Sequence, residues 1–196
     1  MEQFFFRVLD FLSELGYFGI ALGLMVEVVP SEIVLAYGGY MISIGKIGFW
    51  GAVVFGVIGG LFAQLFLYWF GYYGGRPLVL KYGKYIFIYE KHLYMAENWF
   101  KRYGGGVVFF ARFIPIVRHA ISIPAGISKM SFWKFTLYTT LAMIPWSIFF
   151  LYLGYKLETN WQMIKSVAAP YVEPAMIVMM IFFAFYVAYR FQRRHE

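Results

Sequence analysis

At 196 residues the chain has the length of one ordinary domain, but 62% of it is hydrophobic, only 14% is charged, and the mean hydropathy is +0.66. Soluble domains do not reach these values, and an integral membrane protein is the class that fits. A net charge of +7 then reads as basic residues gathered at a membrane edge, not as a nucleic-acid footprint, and with no cysteine and three dispersed histidines neither disulfides nor a metal or cofactor centre is expected.

In chain order, Glu2, Asp10 and Glu14 interrupt the opening segment where a cleaved signal needs a basic start and a clean apolar core. Phe4, Val8, Phe11, Leu12 and Leu15 recur at helical spacing and predict a short helix over 3–15. Gly16 and Gly19 lead into an apolar stretch over 20–29, too short to cross a core about 30 Å thick. The apolar run breaks at Pro30-Ser31 and resumes over 32–44. Glu27 and Glu32 bracket that proline. Two half-length pieces around a proline predict a re-entrant hairpin. Residues 48–73 carry no formal charge and predict a transmembrane helix, with glycines at 51, 56, 59, 60 and 71 suited to close helix packing.

The segment 74–103 is basic, and Ile86, Tyr89, Leu93, Ala96 and Phe100 at helical spacing predict an amphipathic helix on the bilayer surface. Gly104-Gly105-Gly106 then opens a second polar-bearing apolar segment, 107–127, in which Arg112 and Arg118 bracket Pro115. A long helix follows over 132–155, kinked at Pro145. A connection over 156–170 and a last helix over 172–190 complete the pattern, with Arg190, Arg193 and Arg194 closing the chain.

The basic 74–103 segment and the C-terminal tail belong in the cytoplasm by the distribution of lysine and arginine. That orientation runs the long helices inward, outward and inward, and brings the two hairpins in from opposite faces. Gly38-Gly39, Lys46 and Phe49-Trp50 in the first half answer to Ala125-Gly126, Lys129 and Phe132-Trp133 in the second. The expected architecture is an all-α polytopic membrane protein forming a single membrane domain over 1–196. It comprises a re-entrant hairpin plus transmembrane helix over 16–73, the amphipathic connection 74–103, an inverted repeat of the first part over 104–155, and an extra helix over 172–190. Such inverted repeats are common in transporters.

Ionisable groups within hydrocarbon cost about 2.5–3.5 kcal/mol each on insertion scales, so four of them beside two prolines mark the expected site. Arg112 and Arg118 stay charged even when buried, and their guanidinium forks match phosphate oxygens. A break at Pro115 lets both converge on one ligand; the alternative is that each snorkels to the interface or pairs internally. Burial and mutual repulsion would raise the pKa of Glu27 or Glu32 and suit either to carry a proton, while an ion pair with the arginines stays open beside that reading. Pro30, Pro115, His119, Gln64 and Tyr68 are the further candidate liners. His119 either titrates near neutrality or hydrogen-bonds a freed carbonyl. Tyrosines and tryptophans at 68, 69, 72, 73, 152, 155 and 161 read as interfacial belts.

The run from Glu27 through Pro30 to Glu32, the helix bearing Tyr68 and Gly71, and above all Arg112-Phe-Ile-Pro115-Ile-Val-Arg118 followed by Ala125-Gly126 resemble the DedA family of bacterial membrane proteins. The resemblance spans roughly 15–155. It implies the VTT-type fold of opposed re-entrant hairpins and movement of lipids between leaflets of the bacterial cell membrane, without cofactor. It further implies that Glu27, Glu32, Arg112 and Arg118 matter for activity, often with dependence on the proton gradient. The expected partners are membrane lipids, whose phosphate head group binds the arginines; a homo-oligomer stays open. Phosphatidylethanolamine is the first candidate, since its ammonium would use the carboxylates as well; undecaprenyl phosphate, which needs only the arginines, is the second. An enzyme is not expected: a phosphatase using His119 as nucleophile lacks a neighbouring acid or base.

Overall fold

Proline and glycine decide where the helices stop. In a computed structural model, described over residues 8–9, 11–26, 29–74, 94, 98, 100, 103 and 105–192, residues 11–14 are helical and α1 follows over Tyr17–Val26. Pro30 (φ −51°, ψ 133°) stands outside the helical region, and its carbonyl accepts the N–H groups of Ile33 and Val34 to start α2, Ser31–Ser43. These helices have 10 and 13 residues, or about 15 and 20 Å at the α-helical rise, so neither spans a bilayer alone. α2 closes on Gly45 at φ +73°, with Lys46 N–H bonded to the Met41 carbonyl, a six-residue wrap that favours glycine at its left-handed position.

α3 runs over Phe49–Trp69 and continues as a π-turn, Phe70–Gly74. Three short helices follow the connection: α4, Gly106–Ala111; α5, Pro115–Ala120; α6, Ser122–Ile127. The long α7, Phe132–Leu157, continues through Pro145. A 3₁₀ turn, Glu158–Met163, leads into α8, Ile164–Gln192. The last helix thus begins eight residues before the expected 172 and runs through Pro170 and Pro174. Its first turns are anchored by Ile164 and Ala168, one turn apart and both buried, a packing gain that offsets the two backbone donors the prolines lack. The amphipathic helix expected within 74–103 lies outside the described residues, except that Tyr94, Asn98, Phe100 and Tyr103 are helical.

Among the described residues three helical stretches are long and apolar enough to cross a membrane, Phe49–Gly74, Phe132–Asn160 and Ser166–Tyr186, and there is no strand. The all-α polytopic class expected from the sequence is therefore the class observed. The described part of α8 leaves Ile177, Ile181, Phe182 and Phe185 exposed, as a helix bathed in hydrocarbon does.

The chain divides into two compact units, one of residues 1–63 and 143–173, the other of 64–142 and 174–196. In the first, Leu24, Val34, Leu35, Ala52, Phe150 and Leu151 form the centre of an apolar core. There α2 meets α7 without intervening side chains: a methyl on Gly39 would lie 2.3 Å from the Leu151 carbonyl oxygen, and one on Gly154 would lie 2.1 Å from that of Ala36. The second unit repeats the device between α6 and the end of α3. A methyl on Gly126 would lie 2.1 Å from the Tyr68 carbonyl oxygen, and one on Gly71 would lie 2.3 Å from that of Ile123. Between helices in lipid there is little hydrophobic drive, so backbone-to-backbone approach through small residues supplies the packing.

Candidate functional site

The second unit builds its polar centre on the break before Pro115. α4 ends in tight turns, with Arg112, Phe113 and Ile114 N–H groups each reaching back three residues. Ile114 is extended (φ −101°, ψ 112°), as the proline ring requires of the residue before it. Pro115 then opens α5, where its missing N–H is no loss. The chain turns again at Ile121 before α6.

Arg112 fills the space between these short helices and is 6% exposed. Its Nη1 donates to the Arg118 carbonyl at 2.9 Å, and its Nη2 donates to Ser122 Oγ at 3.0 Å and Thr139 Oγ1 at 3.1 Å. Ser122 in turn donates to Gln64 Oε1 at 2.7 Å. Gln64, Ser122 and Thr139 are all buried. The guanidinium carbon lies 5.6 Å from the centre of the Phe135 ring, on which Tyr68 also stacks at 4.5 Å. A carbonyl and two hydroxyls orient the guanidinium. The arrangement fixes a buried cation in one orientation.

Of the expected site residues, the structure brings Arg112 and Gln64 into one network. Arg118 contributes its carbonyl, and its side chain is half-buried. Tyr68 is buried and joins through Phe135, but its hydroxyl donates to the Met130 carbonyl at 2.5 Å. Glu32 sits half-buried in the first turn of α2, with the Ser31 hydroxyl 3.4 Å from its carboxylate, and Pro30 is exposed at the start of that helix; both belong to the first unit. Glu27 lies outside the described residues, as do the side chains of Pro115 and His119. Sequence reasoning missed Ser122, Thr139 and Phe135. Ser122 lies on α6, past the turn at Ile121, and its polar side chain in an apolar run was the available signal; Thr139 and Phe135, four apart on α7, gave none beyond ordinary helix spacing. Among the described residues no group of three histidine, aspartate or glutamate side chains is placed to hold a metal.

Fold and site together define a multi-pass helical membrane protein whose second unit buries a hydrogen-bonded arginine beside a proline break. Residues 29–156 match the model of the VTT domain, and the chain belongs to that family, the DedA proteins among them, as the glutamate–proline and arginine–proline pattern led one to expect. It is 58% identical over 180 residues to Undecaprenyl phosphate transporter A of Bacillus subtilis, covering 92% of this chain and 91% of that one. It is 30% identical over 199 residues to the protein of the same name in Staphylococcus aureus, covering 97% and 96%. An Alkaline phosphatase-like protein of Lactococcus lactis is 33% identical over 189 residues, with 90% and 86% covered. No solved structure gives a significant match.

Proposed function

We propose that this protein carries a phosphate-bearing lipid across the bacterial plasma membrane, and that the lipid is undecaprenyl phosphate. The observation that carries the reading is the buried Arg112, fixed by the Arg118 carbonyl, Ser122 and Thr139 within a broken helical segment of a multi-pass protein. A permanent cation held away from water attracts a phosphate far more strongly than a solvated one. Arg112 and Arg118 take the phosphate, while the polyprenyl chain stays in the bilayer. Glu27 and Glu32 exchange protons and couple transport to the proton gradient. The charge balance of the sequence alone favours a zwitterionic phospholipid; the names of relatives that cover more than nine-tenths of this chain move the preference to the polyprenyl phosphate.

Proteoliposomes loaded in one leaflet with labelled undecaprenyl phosphate or phosphatidylethanolamine test this. The wild type should move the polyprenyl phosphate above the rate in empty liposomes, Arg112→Ala should not, and Glu27→Gln should lose the response to a pH gradient. Equal movement of both lipids would restore the phospholipid reading, and movement of neither by the wild type would sink the proposal. The Lactococcus name keeps a hydrolytic reading in view; release of inorganic phosphate from the lipid by purified protein, abolished in His119→Ala, would support it.

A further inference from the structure

We infer that the second unit holds another phosphate-lipid site, at the membrane edge, centred on Lys129. The end of the α3 π-turn and the turn before α7 enclose a cavity of about 360 Å³, within the size range of small-ligand sites. Its walls include Trp69, Tyr72, Tyr73, Lys129, Ser131 and Phe132. One candidate span ends at Gly74 and another begins at Phe132, so the cavity opens where hydrocarbon gives way to head groups.

Three features of this cavity point to a ligand. Lys129 holds a left-handed backbone at φ +53°, a conformation that costs a side-chain-bearing residue roughly 1–2 kcal/mol. The turn itself does not need a lysine: the equivalent wrap after α2 places Gly45 at this position, with the same hydrogen bond from the next residue back over five, Lys46 to Met41 there and Met130 to Ala125 here. The side chain is therefore what the strained position presents. Its ammonium donates to the Tyr72 carbonyl and lies 3.8 Å from the centre of the Tyr72 ring, which fixes it at the cavity wall and leaves an ammonium two further donors to offer an anion.

The second feature is the π-turn, a rare interruption that recurs at functional sites, which here carries Tyr72 and Tyr73 into the wall. The third is preorganisation. The buried Tyr68 hydroxyl pins the Met130 carbonyl, so the turn bearing Lys129 and Ser131 is held from beneath. Trp69 and Phe132 stack with ring centres 6.3 Å apart and planes 4° from parallel, a flat apolar wall beside the cation. A phosphate monoester on an apolar tail satisfies both parts: the lysine and Ser131 hydroxyl for the phosphate, the rings for the first carbons of the tail. This site would collect the lipid at the interface before Arg112 engages it, and to that extent rests on the transport reading given above.

The test is binding to full-length protein in nanodiscs of zwitterionic lipid, titrated with a polyprenyl phosphate, the uncharged polyprenol of the same length, and inorganic phosphate. Lys129→Gly is the informative variant, because glycine suits the backbone and should raise thermal stability; Lys129→Gln keeps the bulk without the charge. Both should weaken polyprenyl phosphate binding about tenfold, the scale of one charge-assisted hydrogen bond, and leave polyprenol binding unchanged. Tighter binding of the polyprenyl phosphate than of inorganic phosphate assigns the site to the lipid; equal, lysine-dependent binding of the two assigns it to free phosphate and overturns the lipid assignment. Binding by both variants within twofold of wild type overturns the site altogether, as does polyprenol binding as tight as the phosphate. If lysine-dependent binding persists while the wild type moves no lipid, the transport reading fails and this site stands.

Discussion

At the scale of single residues, Arg112 is distinguished by how fully its geometry is specified. Three acceptors from three different segments, the Arg118 carbonyl, Ser122 and Thr139, surround one planar group. Lysine keeps the charge but brings a point cation that cannot reach this fork of acceptors. Arg112→Lys should therefore lower lipid transport at least about tenfold, the loss of a charge-assisted hydrogen bond being worth about 1.5–3 kcal/mol, and the proteoliposome rate measures it. Ser122→Ala is a milder cut. It removes the hydroxyl that accepts from Arg112 and donates to Gln64, leaves both partners buried, and should cost about 1–3 kcal/mol, seen as a lower melting temperature in detergent. Arg112 and Gln64, the expected residues whose side chains meet in this network, stood out in the sequence because polar groups in apolar runs are rare. Thr139 did not, since a threonine on a transmembrane helix most often satisfies a carbonyl of its own helix, and only the fold shows that it faces an arginine 27 residues away.

Among the elements, the two glycine contacts are the equivalent joints of the two units. Gly39 on Leu151 and Gly126 on Tyr68 each sit in a short helix after a proline break, and each meets the backbone of a long helix. Phe49 to Gly71 and Phe132 to Gly154 are both 22 positions apart, so the glycines stand at equivalent places along the two long helical stretches. A methyl group at Gly39 or Gly126 has only main-chain atoms to displace, and the short helix must move off its partner. Gly39→Ala and Gly126→Ala should each lower stability by roughly 1–3 kcal/mol, the range for overpacking. Gly45→Ala is the control: its surroundings are open and only its φ of +73° is strained, so the cost should be nearer 1 kcal/mol. Thermal unfolding of the three variants side by side ranks them; equal melting temperatures for Gly39→Ala and Gly45→Ala would refute the close-contact account. The repeat signal in the sequence, Gly38-Gly39 or Ala125-Gly126 and then Phe-Trp at a helix start, contains one side of each joint. It did not reveal that Gly154 and Gly71 are the other sides, because periodicity along one helix carries no information about which helix it faces.

For the whole molecule, the three spans found among the described residues were legible because length and apolarity alone set what can cross a bilayer, whereas their direction depends on charges outside them. Arginine and lysine crowd the 74–103 segment and the tail, while the 156–170 connection carries only Lys156 and Lys165. On the positive-inside rule Asn98 and His195 are expected in the cytoplasm and Asn160 outside. With α7 as a span over Phe132–Asn160 and 107–127 entering and leaving by one face, the reading proposed from the sequence, Asn98 and Asn160 are expected on opposite faces in either orientation. The natural chain has no cysteine, and a single cysteine placed at each position is the only thiol a maleimide can find. Asn98→Cys and Asn160→Cys present exposed sites. An impermeant maleimide added to intact cells should label Asn160→Cys and spare Asn98→Cys and His195→Cys until the membrane is opened. The reverse pattern would turn the protein over and place the Lys129 cavity on the outer face, where it would release or collect lipid from the other leaflet. Labelling of Asn98→Cys and Asn160→Cys from the same side would overturn either α7 as a span or the re-entrant reading of 107–127.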